Sequence, residues 1–299
     1  MEYRRLEGII PALVTPFDEN GDVSYDALER HVNFLMESGV DALYPLGTTG
    51  EFPLMEPKER EEVAKRVIDL AGEKVPVVIQ VGDDNPRITT SLISSAMESG
   101  ADGVAIVTPY YYNLGGEELF TYYSKIAEEF PDVPIYLYNI PQITGVVIPI
   151  HTVERLLINY PNIWGIKDSS GDFSYFLELM KLKEKYPRLS ILIGADKYIL
   201  ATHQMGADGN VSGFANCFPE LFVSFRKAFL EGDEVNYEKF YKRILTVSEI
   251  LKDGAILDLI KGSCRIRGLD VGYVRPPLKK LSPEEEKELK DALLKSGLI

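Results

Sequence analysis

The chain has 299 residues, a formal net charge of −14, 45% hydrophobic residues and 26% charged ones, the balance of a soluble globular protein with room for one large barrel or two ordinary domains. An acidic surface of this kind repels nucleic acid, while local sites within it still take small anions. No run approaches the roughly 20 apolar residues of a membrane span, and the opening MEYRRLEGII shows no apolar segment after its basic residues, so a cytoplasmic setting with no membrane partner is the expectation.

Apolar runs alternate with amphipathic stretches along the chain. GIIPALVTPF (8–17) reads as a strand and SYDALERHVNFLMESGV as a helix, with Ser24 at its N-cap and Gly39 closing it. ALYPLG follows, then a helix opened by Pro57. VPVVIQVG precedes a helix that starts near Asn85, and GVAIVTP precedes EELFTYYSKIAEEF. VPIYLYNIP precedes HTVERLLINY, and NIWGIK precedes FSYFLELMKLKEKY. SILIGA precedes KYILATHQMG, and GNVSGFA precedes FPELFVSFRKAFLEG.

These are eight strand-then-helix units, the count of a closed (β/α)8 barrel. The strands are continuously apolar, as parallel strands covered on both faces require. A doubly wound open sheet is the competing α/β architecture, and it lacks support because no strand leads into a GxGxxG turn. After Gly232 the rhythm changes to helices alone, the last with Ser282, Pro283 and Glu285 in helix-start positions. The expected organisation is a barrel over 1–232 and a C-terminal helical domain over 233–299, with GYVRPPL (272–278) as an extended linker.

Cys217 and Cys264 are far apart without CxxC spacing, and His31, His151 and His203 are dispersed; neither set forms a metal-ligand pattern, and no metal or cofactor is expected. Scarce Gln and abundant charge fit a thermophilic source.

In such barrels chemistry sits where strands run into the loops that follow them. That rule selects GTTGE (Gly47, Thr48, Thr49, Gly50, Glu51) after the second strand and the run Tyr110, Tyr111, Tyr112 after the fourth. It adds Tyr138 near the end of the fifth, Lys167 at the end of the sixth, Asp196 after the seventh, and Val211 and Ser212 in the eighth. A lysine in an apolar pocket has a lowered pKa, because desolvation penalises the ammonium. The neutral amine attacks a ketone to form a Schiff base, whose protonated form is an electron sink. A tyrosine within hydrogen-bond reach relays protons, and the GTTG turn offers hydroxyls and N–H groups to a carboxylate. The set fits an α-keto acid held by its carboxylate with its ketone on Lys167. Each piece also has a plain structural reading: a surface lysine, a packed tyrosine run, a tight turn, and a helix cap at Asp196. Their coincidence at the ends of different strands of one barrel favours the chemical reading.

Taken together, GTTGE, TPYYYN, YNIPQITG, GIKDSSGD, GADGNVSGFAN and GYVRPPL resemble the pyruvate-dependent class I aldolase family, which includes dihydrodipicolinate synthase, N-acetylneuraminate lyase and 2-keto-3-deoxygluconate aldolase. The resemblance runs the length of the chain, in order. It implies a (β/α)8 barrel with a C-terminal helical extension, assembled as a homotetramer, a dimer of dimers. Lys167 matches the Schiff-base lysine and Tyr138 the proton-shuttling tyrosine. Thr48 and Thr49 match the residues that hold the pyruvate carboxylate, and Val211 a main-chain contact near it. Tyr111 matches a tyrosine that crosses a dimer interface into the neighbour's site. Two departures bear on substrate. Synthases usually place an arginine after the N-P motif, where this chain reads Gln142, Ile143, Thr144; neuraminate lyases typically carry a glutamate where this chain has Lys197. The motifs look closest to archaeal-type 2-keto-3-deoxygluconate aldolases. Asn113 and Leu114 stand where members that accept the phosphorylated sugar acid tend to carry arginine, which favours the unphosphorylated one.

Overall fold

The computed structural model describes residues 3–299. Among them, seven parallel strands form one sheet: β1 (Gly8–Pro11), β2 (Val78–Gln80), β3 (Gly103–Val107), β4 (Ile135–Asn139), β5 (Ile163–Asp168), β6 (Ser190–Ile193) and β7 (Gly209–Ser212). Their order is β1-β7-β6-β5-β4-β3-β2. The expected second strand, ALYPLG, is not a regular strand; it closes the cylinder through single parallel bridges, Ala12 to Tyr44 on one side and Leu43 to Val77 on the other. Tyr44 N donates to Pro11 O (3.1 Å) and Tyr44 O accepts from Leu13 N (2.9 Å), while Leu43 N donates to Pro76 O (2.9 Å). The ladder thins out here, with only Pro45 O still accepting from Gln80 N (3.2 Å), for a local reason. Pro45 has no N–H to give, and Leu46 turns to φ 61°, outside the extended region. The architecture is therefore the (β/α)8 barrel, with segment 42–46 in the eighth position.

Strand side chains alternate between two environments, as the two-residue period demands. Ile10, Ala12, Tyr44, Val78, Ala105, Tyr136, Leu192 and Val211 pack together inside the cylinder. Ile135, Leu137, Ile166, Ile191 and Ile193 face outward into the layer under the helices. Helices Tyr25–Glu37, Pro57–Ala71, Pro86–Glu98, Gly116–Glu129, Ile150–Asn159 and Phe173–Lys185 cover that layer, and Pro219–Leu230 packs against β1 in a second core. Pro occupies the first turn of the helices at Pro57 and Pro86, and the Asn85 side chain accepts from Arg87 N to cap the second of these.

After β7 the described chain is helical: Glu234–Ile250, Leu257–Ile266 and Pro283–Lys295. The last opens with a capping box between Ser282 and Glu285. These helices share a core with the barrel, in which Ile9, Val14, Phe214, Phe218 and Phe222 pack with Ile244, Val247, Ile260 and Leu293. GYVRPPL is more than a linker. Tyr273 bridges to Phe17, and the Arg275 guanidinium forms a pair with Glu59 (2.7 Å) and donates to Gly21 O and Leu54 O. Among the described residues no helix is long and apolar enough to cross a membrane.

Gly165 makes room inside the cylinder. A Cβ there would lie 2.6 Å from Ser190 O and 2.8 Å from the Tyr136 ring, distances that only a shift of strand or ring relieves. Gly165→Ala is expected to lower the free energy of unfolding by about 1–3 kcal/mol, the usual cost of overpacking, as measured by denaturant titration. An unchanged transition midpoint would show that the barrel interior is looser than these contacts imply.

Candidate active site

β5 runs one residue beyond its expected end and carries Lys167 as an inward-facing side chain, only 3% exposed. The register pairs Lys167 with Tyr138 on β4 and with Leu192 on β6. Its Nζ lies 4.1 Å from the centroid of the Tyr44 ring and 4.1 Å from that of Tyr138, and the two rings meet edge to face. A lysine held this way has aromatic faces where water would otherwise hydrate an ammonium. Desolvation therefore dominates and brings its pKa down to about 7, although the charge of Asp196 works in the opposite direction.

Tyr138 is 2% exposed. Its hydroxyl is 3.2 Å from Thr48 Oγ1. Burial raises its pKa, and bonding to the Thr48 and Ser169 hydroxyls pulls it partly back, so it stands as a phenol at neutral pH. Asp196, in a short 3-10 turn after β6, is 6% exposed. Its Oδ2 accepts from Ser212 Oγ at 2.8 Å. Desolvation carries its pKa up to about 7; the Ser212 hydroxyl, the Asn210 side chain and the Lys167 charge all favour its ionised form but do not outweigh burial. Asp196 is not the helix cap its position suggests: Ala195 and Tyr198 hold the N-cap positions, and its carboxylate turns to Ser212 instead.

The GTTG turn lies beside this group. Gly50 N donates to Gly47 O and Glu51 N to Thr48 O, each at 3.0 Å. Leu46 and Glu51, both at φ 61°, bracket the turn in the left-handed region. Gly50 fits because a Cβ would meet Leu13 O at 3.0 Å and Leu46 N at 3.1 Å. Gly47 leaves space for the Tyr44 ring, whose edge would stand 3.0 Å from a Cβ. Thr48 and Thr49 are half-buried, and Thr49 borders Gly213, immediately after Ser212. Val211 is buried in the barrel interior.

Lys167, Tyr138, Thr48, Asp196 and Ser212 thus form one connected cluster at the C-terminal end of the strands, with Gly47, Thr49 and Val211 beside it. Tyr111 is elsewhere. It is 79% exposed and pairs edge-on with Tyr112; its backbone, with that of Tyr110, is held by Asp84 Oδ1. Two residues of the site do not stand out in the sequence. Tyr44 forms one wall of the lysine's sheath, and its inward two-residue register with Ala42 is the signal that points to it. Ser169, a loop residue by sequence, helps hold the Tyr138 pKa down and fills the space that any side chain at Gly194 would need. A surface groove of about 750 Å³ lined by Arg87, Tyr122, Lys125 and Glu129 lies between outer helices and contains none of these residues.

The arrangement supplies a neutral amine, a buried phenol tied to a threonine, and a turn rich in hydroxyl and N–H donors, the parts that imine chemistry on a keto acid calls for. The chain has relatives among known proteins over nearly its whole length. The chain is 32% identical to the Escherichia coli protein named "Probable 2-dehydro-3-deoxy-D-pentonate aldolase YjhH", covering 99% of this chain and 99% of that one. It is 31% identical to the 4-hydroxy-tetrahydrodipicolinate synthase of Methanococcus aeolicus, covering 98% of this chain and all of the relative. Among solved structures, YagE of E. coli K12, determined in complex with pyruvate, superposes with a TM-score of 0.94 at 29% identity, over 99% of this chain and 100% of that one. The family described as the dihydrodipicolinate synthetase family matches residues 5–296, and the chain belongs to that family.

Proposed function

We propose that the protein is a lyase that cleaves a 2-keto-3-deoxy sugar acid reversibly to pyruvate and an aldehyde through an imine on Lys167. The observation that carries this reading is Lys167 Nζ sheathed by the Tyr44 and Tyr138 rings. With a pKa of about 7, about half of the amine is neutral at pH 7, against fewer than about one in a thousand for an ordinary lysine.

The steps close in protons. The neutral amine adds to the C2 ketone, with the substrate carboxylate on the Thr48–Thr49 turn. The carbinolamine hydroxyl leaves as water, taking a proton from the Tyr138 phenol and leaving a protonated imine. The resulting phenolate is a strong base in its buried setting, and it takes the C4 hydroxyl proton as the C3–C4 bond breaks. The bonding pair moves into the imine as an enamine, and the aldehyde departs. Tyr138 gives its proton to C3. Water then hydrolyses the imine to pyruvate and free Lys167, and its remaining proton restores the phenol. The imine itself is the electron sink, so this route calls on no cofactor or metal. The proposal assigns Asp196, braced by Ser212, to hydroxyls of the substrate.

The aldolase reading is supported by the pentonate aldolase relative and by Gln142. Gln142 is exposed, and its Nε2 donates to Ser169 O at 2.6 Å, so it presents no cation to a second carboxylate. Synthase relatives at similar identity support a second reading, condensation of pyruvate with aspartate semialdehyde. Pyruvate release from a panel of keto-deoxy sugar acids, run beside a condensation assay, separates the two and also exposes a keto-acid dehydratase, which releases no aldehyde. The same reading assigns Tyr111 to the site of a neighbouring chain in a tetramer.

Borohydride with pyruvate is expected to leave a covalent adduct on Lys167, located by peptide mass spectrometry, and Lys167→Ala to leave none; trapping by the variant at the wild-type level would sink the imine mechanism. Tyr138→Phe is expected to lower kcat for cleavage about 10²- to 10⁴-fold while still trapping pyruvate on long incubation. A variant with undiminished cleavage would remove Tyr138 from the proton path. Because the Asp196 charge raises the Lys167 pKa, Asp196→Asn should move the midpoint of trapping rate against pH to lower pH. A shift to higher pH would contradict this electrostatic coupling.

A further inference from the structure

We infer that the buried pair Glu51–Lys261, joined by Thr15, is a clamp that shapes the carboxylate-holding turn, making Lys261 of the C-terminal helices a positioning residue for keto-acid binding. This rests on the reading that the Thr48–Thr49 turn receives the carboxylate.

Lys261 Nζ lies 2.6 Å from Glu51 Oε1, with side chains 1% and 0% exposed. The ammonium also donates to Thr15 O and Tyr273 O, each at 2.7 Å, and sits over the Phe17 ring. Thr15 Oγ1 donates to Gly50 O at 2.7 Å. Gly50, Glu51, Lys261 and Thr15 therefore form a closed ring of contacts around the last peptide of the GTTG turn. The other Glu51 oxygen accepts from Arg275 N at 2.8 Å, so both carboxylate oxygens are held by the segment that follows β7.

A buried ion pair is weak support for stability, because desolvating two charges offsets their attraction. Its value in this position lies in geometry. Glu51 adopts φ 61° without being glycine, a conformation that persists only where surrounding contacts over-determine it. The preceding left-handed residue, Leu46, opens the same turn. Between them stand Thr48, bonded to the Tyr138 hydroxyl, and Thr49. A turn released at Glu51 would carry both hydroxyls away from a bound carboxylate. The contacts of Lys261, to Glu51, Thr15 O, Tyr273 O and the Phe17 ring, all serve this clamp.

The test is borohydride trapping at graded pyruvate concentrations in the full-length protein, which separates half-saturation (binding) from limiting rate (chemistry at Lys167). Lys261→Met, Lys261→Met/Glu51→Gln and Thr15→Val are each expected to raise the half-saturating concentration about tenfold or more, the scale on which small misplacements act, with the limiting rate far less affected. A folded Lys261→Met with wild-type half-saturation overturns the clamp, because a merely structural role lowers the melting temperature without moving this ratio. Should both Lys261 variants fail to fold, Thr15→Val decides. It removes one hydroxyl and leaves every charge in place, and half-saturation within about twofold of wild type again overturns the clamp. Wild-type protein that traps nothing identifies a different failure, that of the imine reading itself, and this inference falls with it.

Discussion

The refusal of the barrel interior to hydrate an ammonium is the constraint on which the rest of this site depends. Parallel strands covered on both faces give a cylinder with little water, and a cation placed there must find compensation or lose its proton. Lys167 finds two ring faces and a half-neutralised carboxylate in Asp196, which is too little to keep it fully charged. Much nearby architecture follows from housing that side chain. Gly165, two residues before it on the same inward face, leaves room for Tyr136, while Gly47 leaves room for the ring of Tyr44. Polar donors arrive on loops around the mouth, where they can be fixed without entering the apolar wall.

The protein's large negative charge is not a description of its pocket. Lys167 and Asp196 have pKa values brought to nearly the same point by the same cause, burial, acting in opposite directions on a base and an acid. The pair therefore sits close to the balance between an ion pair and two neutral groups. On the proposed reading an arriving carboxylate needs no positive surface to meet it, since hydroxyls and backbone N–H groups of a short turn take that part. Burial pushes the Lys261 pKa down as well, but there a carboxylate and two carbonyl oxygens stand against it and favour the ammonium.

Much of the molecule is legible in the sequence, and particular residues show why the rest is not. Eight apolar runs followed by amphipathic stretches identify the barrel, and the rule that loops after strands carry chemistry leads to Lys167, Tyr138, Thr48 and Asp196. The second strand looks regular in sequence because apolarity reports burial and not hydrogen bonding; Pro45 interrupts the ladder while leaving the run apolar. Tyr44 is hidden because an aromatic within an apolar strand looks like packing, and only the closure of the cylinder puts its ring against Lys167. Tyr111 lies outside the pocket of its own chain, so the part proposed for it depends on a partner that no local pattern describes. Lys261 and Glu51 are invisible as a pair because residues so far apart in the chain leave no periodic trace. Family motifs carry the reading as far as keto-acid chemistry. In the proposed reaction the choice of aldehyde partner falls to a few residues such as Gln142 and Lys197, whose side chains reach solvent and so leave no mark on any hydrophobic pattern.

The span of those long contacts bears on when the site comes into being. Thr15 and Lys261 are separated by 246 positions, and Glu51 and Arg275 by 224. As the chain emerges from the ribosome, the first strands and the GTTG segment appear early and wait. Their final bonds cannot close until the last helices have been made and have docked, since a contact needs both of its ends. Such non-local closure is the slow part of assembling a domain. The strand that bears Lys167 is likewise complete long before the turn opposite it acquires its last supports. If the proposed chemistry holds, activity is in this sense written at the end of synthesis: a nascent barrel has its buried lysine before the turn opposite has its last supports.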